Sequence, residues 1–165
     1  MSAADVSRTN DTISPQSTPS RLTTAQHEKL VSRLSKTDKV QSDKTYLEGI
    51  VNEYDRFLGL YNTKCNTTKC LVPSQIVDRA WHEHILCTRD YASTCDRLFG
   101  RFLHHDPTEG TDGENEAAHA TDYESTLALY KLTYGVEAPT VFWPAPGNCM
   151  NGCGGKCHSG DCVAN

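Results

Sequence analysis

The chain lacks the features by which several large classes of protein are recognised. It has no block of Lys and Arg, and its formal net charge is −5, so the electrostatic footprint of a nucleic-acid-binding protein is missing. It has no apolar run of about 18 residues, the length a membrane span needs, and no apolar region of a secretory signal at its start. We therefore expect a protein of the cytoplasm, or alternatively the nucleus, that is not secreted and binds neither nucleic acid nor membrane.

Signatures of common catalytic sites are also missing. The sequence contains no GxSxG, no GxxxxGK[ST], no GxGxxG and no HExxH, so no nucleophile elbow, phosphate loop, dinucleotide fingerprint or helical zinc motif is present. The tetrapeptide WHEH is not a zinc motif of this kind, because its histidines lie two residues apart rather than four. None of the sequence motifs therefore identifies a class of substrate.

Hydrophobic periodicity predicts an all-α protein. Apolar residues recur at helical spacing in several segments, and no stretch alternates convincingly with the period of two that a strand requires. We predict a compact bundle of four to five helices with a disordered N-terminal arm and a Cys/Gly-rich C-terminal tail. The predicted units are a disordered arm (1–22), a short helix and linker (23–42), a helical domain (43–146) and the Cys/Gly-rich tail (147–165).

The stretch from Pro73 to Pro107 organises the chain. Ser74 is a predicted helix N-cap and Gly100 a predicted helix stop. Between them the pattern predicts either one helix over about 75–98 or, with a break near Thr88, two shorter helices. The residues that share one helical face are Val77, Trp81, His84, Thr88, Tyr91, Cys95 and Leu98.

The last helix is predicted from its capping residues. Thr121 and Glu124 form a capping box that predicts its start, and Gly135 stands where a C-terminal glycine belongs. The acidic residues 106–120 before it are interpreted as a solvated loop. The segment around Trp143, which lies between prolines, is expected to lie extended against the bundle.

One long motif resembles a known family. The string VPSxxVDxxWHxHILxTxxYxxxCxxxFGxxLHHDP is similar to the signature of the glycine-rich domain-containing protein family of plants, fungi and bacteria, and EYDRFLGL, TLALYKLTYG and PTVFWP resemble its flanking segments. The family has no established biochemical activity. The resemblance therefore implies a non-enzymatic binding or interaction module for an unidentified protein or small molecule, and the association of plant members with stress adds a stress-related role.

Histidines and an aspartate on the central stretch are candidate functional residues. Three explanations stay open: buried histidines paired by hydrogen bonds, a site for zinc or another divalent transition metal, and acid–base catalysis. The metal or enzyme alternatives would use the His/Asp-bearing face of the WHEHIL helix. The candidate ligands are Asp78, His82, His84, His104 and His105.

Helical phase separates the two histidines of WHEH. His82 and His84 point about 200° apart on an intact helix, so they cannot both face one ion. His84 shares the apolar stripe, whereas His82 lies four residues after Asp78 and can touch it. We predict that His84 and His105 approach each other across the domain while His82 points elsewhere with Asp78.

The tail offers a second set of candidate ligands. Its spacing, C-x3-C-x3-C-x4-C, is within the range of structural zinc sites without matching a standard paired pattern. Ordered metal binding, a disordered tail that binds metal only adventitiously, and disulfides in an oxidising compartment all remain open. The residues concerned are Cys149, Cys153, Cys157 and Cys162.

Overall fold

The computed structural model describes residues 21–37, 43–63, 71–105 and 113–145. Within these ranges the chain forms helices and no strand, which confirms the all-α prediction, and none of these helices is long and apolar enough to cross a membrane. The remainder of the predicted arm, the linker after the first helix and the Cys/Gly-rich tail lie outside the described residues. The helices are α1 (Thr24–Thr37), α2 (Lys44–Thr63), α3 (Gln75–Ile85), α4 (Thr88–Phe99) and α5 (Gly113–Tyr134).

Helix α2 is the centre of the bundle, since α1, α3, α4 and α5 all pack against it. Its apolar side chains cover most of its circumference, as expected for a helix surrounded by others. Burial of these side chains is the main stabilising contribution to the fold. The α2 residues with no exposed surface are Ile50, Val51, Tyr54, Phe57, Leu58 and Leu60.

Helix α1 belongs to this bundle and is held at its start by polar contacts. Thr23 and Gln26 form a reciprocal capping box, with N–H donors 2.9 and 3.2 Å from the side-chain oxygens. Just before it, the backbone N–H groups of Arg21 and Leu22 donate to Asp55 Oδ1 of α2 at 2.7 and 2.6 Å. The last two residues of the predicted arm are therefore anchored to the core.

The central stretch is broken into two helices. Ser74 caps α3 as predicted, accepting a hydrogen bond from the Val77 N–H. Cys87, at φ −89° and ψ 58°, leaves the helical conformation, and its N–H bonds to the His84 carbonyl in a tighter turn. Gly100 ends α4 in the left-handed conformation at φ +66°, as predicted. Of the two alternatives, the break near residue 88 is the correct one.

Helix α5 begins earlier than the capping box predicts. It starts at Gly113, so Thr121 lies inside the helix, and the prediction of a loop up to residue 120 is wrong over 113–120. The segment is rich in Glu and Ala, which are good helix formers, and acidic residues are favourable near a helix N-terminus. Gly135 has φ +70° and ends the helix as predicted.

The segment after Gly135 packs on the bundle through Trp143. It forms a turn rather than a fully extended strand, because the N–H groups of Phe142 and Trp143 both donate to the Pro139 carbonyl at 2.9 and 2.8 Å. The indole of Trp143 is 2% exposed and donates to Glu53 Oε2 of α2 at 2.9 Å. This hydrogen bond fixes the segment against the core helix.

Replacing Ser74 with alanine should lower the free energy of unfolding by about 1–3 kcal/mol. The hydroxyl both caps α3 and donates to the partly buried carbonyl of Phe142, so one substitution removes two contacts. Urea denaturation of the full chain measures the change. The exposed Ser93 of α4 provides a control, since Ser93→Ala should alter stability by less than about 0.5 kcal/mol. Equal effects of the two substitutions would contradict this role of Ser74.

Candidate metal centre

Two elements bring the candidate ligands together. Helix α3 carries Asp78 and His82 one turn apart, so their side chains lie side by side. The chain reverses after Gly100, and the segment that follows runs back along α3 and carries His105. Leu103 secures this return, because it is 2% exposed.

A relay of hydrogen bonds holds the return segment in place. The indole N–H of Trp81 donates to the Tyr91 hydroxyl at 2.9 Å, and that hydroxyl donates to the Leu103 carbonyl at 2.6 Å. Helices α3 and α4 and the return segment are thereby tied together through buried groups. The ring of His105 then packs on the ring of Trp81, with centroids 4.4 Å apart.

Asp78, His82 and His105 form the candidate metal centre. The two Nε2 atoms are 2.8 Å apart, and they lie 3.1 and 2.9 Å from Oδ2 and Oδ1 of Asp78, respectively. One ligand atom from each residue lies within 4.8 Å of the other two. The side chains of His105, Asp78 and His82 are 3%, 17% and 53% exposed, so the centre is buried on one side and open on the other.

The electrostatics of the centre favour a charged carboxylate. Burial alone would raise the pKa of Asp78, but hydrogen bonds from His105 and His82 outweigh it and lower the pKa to about 2. The hydrogen bond to Asp78 raises the pKa of His82 above its ordinary value, against the opposing effect of burial. At neutral pH the centre therefore holds a charged carboxylate beside the two Nε2 atoms.

The group has three close contacts, one between the two Nε2 atoms and one between each Nε2 and Asp78. No placement of protons makes all three favourable. Each Nε2 carries either one hydrogen or one lone pair. If both nitrogens donate to Asp78, two N–H donors are held only 2.8 Å apart with no acceptor between them. If one nitrogen is deprotonated, its lone pair faces a carboxylate oxygen instead. A cation at the centre of the group would satisfy all three.

The spacing is close to that of a metal site. With zinc–nitrogen bonds of about 2.0–2.1 Å, two nitrogens of a tetrahedral site lie about 3.3 Å apart. The observed Nε2–Nε2 separation of 2.8 Å would need to widen by about 0.5 Å. Rotation of the exposed His82 side chain can supply a movement of that size.

The prediction that His84 is the partner of His105 is wrong, because His105 contacts His82 instead. The helical phase itself holds, since His84 faces the interior, 1% exposed. It meets Tyr54 of α2, whose hydroxyl is 3.0 Å from His84 Nδ1, and the ring of Tyr91. The predicted pairing of His82 with Asp78 is confirmed.

Neither His104 nor His84 joins the centre. His104 lies beside His105 in sequence, but its ring packs against Phe102, with centroids 4.8 Å apart. His84 Nε2 is buried and has no hydrogen-bond partner among the residues that the structure describes, and burial lowers the pKa of His84 to about 4. It behaves as a neutral core histidine. The four tail cysteines, Cys149, Cys153, Cys157 and Cys162, lie outside the described residues.

Comparisons with known proteins agree with the motif resemblance. A family model described as UCP032817-like matches residues 20–123, which contain the whole candidate metal centre. Glycine-rich domain-containing protein 1 of Arabidopsis thaliana is 33% identical over 110 residues, which are 64% of this chain. The match spans only 12% of the length of that relative. No solved structure matches.

Proposed function

The chain belongs to the UCP032817-like family, whose match includes Asp78, His82 and His105, and from the geometry of these three residues we propose that it is a binding module built around one divalent transition metal. The convergence of these three ligand atoms within 4.8 Å supports the proposal. Neither the name of the family nor that of the relative mentions a metal. The proposal rests on the geometry of the site.

The donor set restricts the metal. Two imidazoles and one carboxylate suit zinc, iron(II), cobalt(II) and similar ions, whereas Ca²⁺ and Mg²⁺ prefer oxygen donors throughout. Zinc is our first choice because it accepts mixed nitrogen and oxygen ligands at four-coordinate sites. The contact of His105 with Trp81 would supply an apolar wall behind the ion.

A second candidate is a metal-dependent or acid–base enzyme at the same face. The 53% exposure of His82 favours it, because catalytic zinc sites combine three protein ligands with an open position. The stress-related role expected from the resemblance stays a prediction.

The test is the metal content of the purified full chain. A variant in which Cys149, Cys153, Cys157 and Cys162 are all replaced by serine removes the tail as a competing site. After loading with zinc and dialysis, elemental analysis of this variant should find about one equivalent, as a single mononuclear site requires. Comparison with the unaltered chain measures any further metal held by the tail.

Single substitutions then identify the ligands. In the serine background, His82→Ala and His105→Ala should each remove most of the bound zinc, because a site with three protein ligands cannot easily lose one. Asp78→Ala should do the same. The matched control is His104→Ala, which should keep the zinc. Zinc retained by His105→Ala would rule out the proposed centre, and circular dichroism checks that every variant is folded.

A further inference from the structure

We propose that the metal in this centre keeps an accessible coordination position, on the side of His82, that binds a small anion through a carboxylate oxygen. The inference deepens the proposed function, since it names the class of ligand that the same site takes. It rests on the number of donors, the direction from which the centre is open, and the net charge of the loaded site.

The number of donors leaves the coordination of the metal incomplete. Asp78, His82 and His105 each contribute one ligand atom, and no fourth His, Cys, Asp or Glu joins the group within the part of the chain that the structure describes. Zinc and cobalt(II) bind at least four ligands, and most other divalent transition metals bind more. As far as the described residues go, the remaining position is open to water or an external ligand.

Burial indicates where that position lies. His105 is 3% exposed and packs against Trp81, and Asp78 is 17% exposed, so the protein encloses the centre on their side. His82 is 53% exposed, so the side of the centre on which His82 lies faces solvent. An external ligand would approach from the His82 side without any rearrangement of the core.

Charge indicates the class of ligand. A divalent ion contributes two positive charges and the Asp78 carboxylate one negative charge, while the metal-bound imidazoles are neutral, which leaves a net charge of one positive unit. A bound cation is commonly the largest local charge in a site, so a monoanion that neutralises it is favoured. Carboxylate oxygen is a normal ligand of these metals.

The test uses cobalt(II), whose visible absorption reports its coordination, in the full chain with the four tail cysteines replaced by serine. Acetate is the probe, and sodium perchlorate at equal ionic strength is the control. Saturable shifts of the visible bands with acetate, absent with perchlorate, are the expected result. His105→Ala, which should not hold cobalt, corrects for complexes formed by free cobalt and acetate.

The other outcomes separate the two proposals. Cobalt uptake with bands that do not respond to acetate would overturn this inference alone, because the remaining positions would then be filled by the protein. No uptake of cobalt would overturn the proposed function, and this inference with it. A shift of equal size with perchlorate would show an effect of ionic strength and would also overturn the acetate site.

Discussion

Replacing Trp81 with alanine is expected to lower the free energy of unfolding by about 3–5 kcal/mol, the cost typical of a large aromatic side chain lost from a core. Trp81 has no exposed surface. Its ring packs against both Phe57 and Tyr61 of α2, at centroid distances of 5.4 and 6.1 Å. Alanine would leave a cavity at the contact between α2 and α3 that the packed rings cannot close.

The same substitution should weaken the candidate metal centre. The ring of His105 packs on Trp81, and the Trp81 N–H begins the hydrogen-bond relay that holds the return segment. Denaturant melts followed by the fluorescence of Trp143 measure stability, and zinc titration measures the metal. Zinc affinity that is unchanged in a folded Trp81→Ala variant would show that the indole does not support the centre.

Two variants serve as controls for the Trp81 prediction. Trp81→Phe keeps an aromatic ring but loses the N–H donor to Tyr91, so it should cost less than Trp81→Ala. Leu132 is 81% exposed, and Leu132→Ala should change stability by less than about 0.5 kcal/mol. A loss below about 1 kcal/mol for Trp81→Ala would contradict its placement in the core.

Acid should destabilise the metal-free protein through His84. Burial lowers its pKa to about 4, whereas an unfolded histidine has a pKa of about 6.5. Above pH 6.5 neither state is protonated and His84 adds no pH dependence. As the pH falls from 6.5 to 4, the unfolded chain takes up the proton first. The free energy of unfolding therefore decreases by about 3 kcal/mol in total.

His82 and Asp78 also have shifted pKa values, but they affect stability in other pH ranges. The raised pKa of His82 gives stability that is fully present below pH 6.5 and is lost as the pH rises through the folded value. The lowered pKa of Asp78, about 2, gives stability that is present above pH 3.8 and is lost only below it. Between pH 6.5 and 4, His84 is therefore the largest of these three contributions to the slope.

The measurement is urea unfolding at several pH values in the presence of a chelator. His84→Gln keeps a polar side chain beside Tyr54 but does not titrate, so its free energy of unfolding should fall less steeply between pH 6.5 and 4 than that of the unaltered chain. Curves of equal slope would show that His84 is protonated equally easily in both states, against the observed burial.

Part of the candidate centre was predictable from the sequence. Asp78 and His82 are four residues apart on a segment with helical periodicity, and that spacing alone places their side chains together. The phase of the helix also placed His84 inward correctly. What the phase could not predict is the partner of His105, because that depends on where the chain runs after Gly100 and on the burial of Leu103.

Local sequence patterns determined where most helices of this protein begin and end. The helix ends at Ser74, Gly100 and Gly135 act through residues within one turn of each end, so the sequence alone predicts them. The start of α5 was missed because Thr121 and Glu124 mimic a capping box inside a run of good helix formers.

Only the tertiary structure decided which groups meet. The break at Cys87 ends α3 and starts α4, and the return segment then lays His105 over Trp81 beside His82. These contacts join His105 to His82 and to Asp78, which precede it in the chain by 23 and 27 positions, respectively. Its geometry is set by the packing of whole helices on α2, since contacts of this range depend on the burial of apolar faces and no local pattern specifies them.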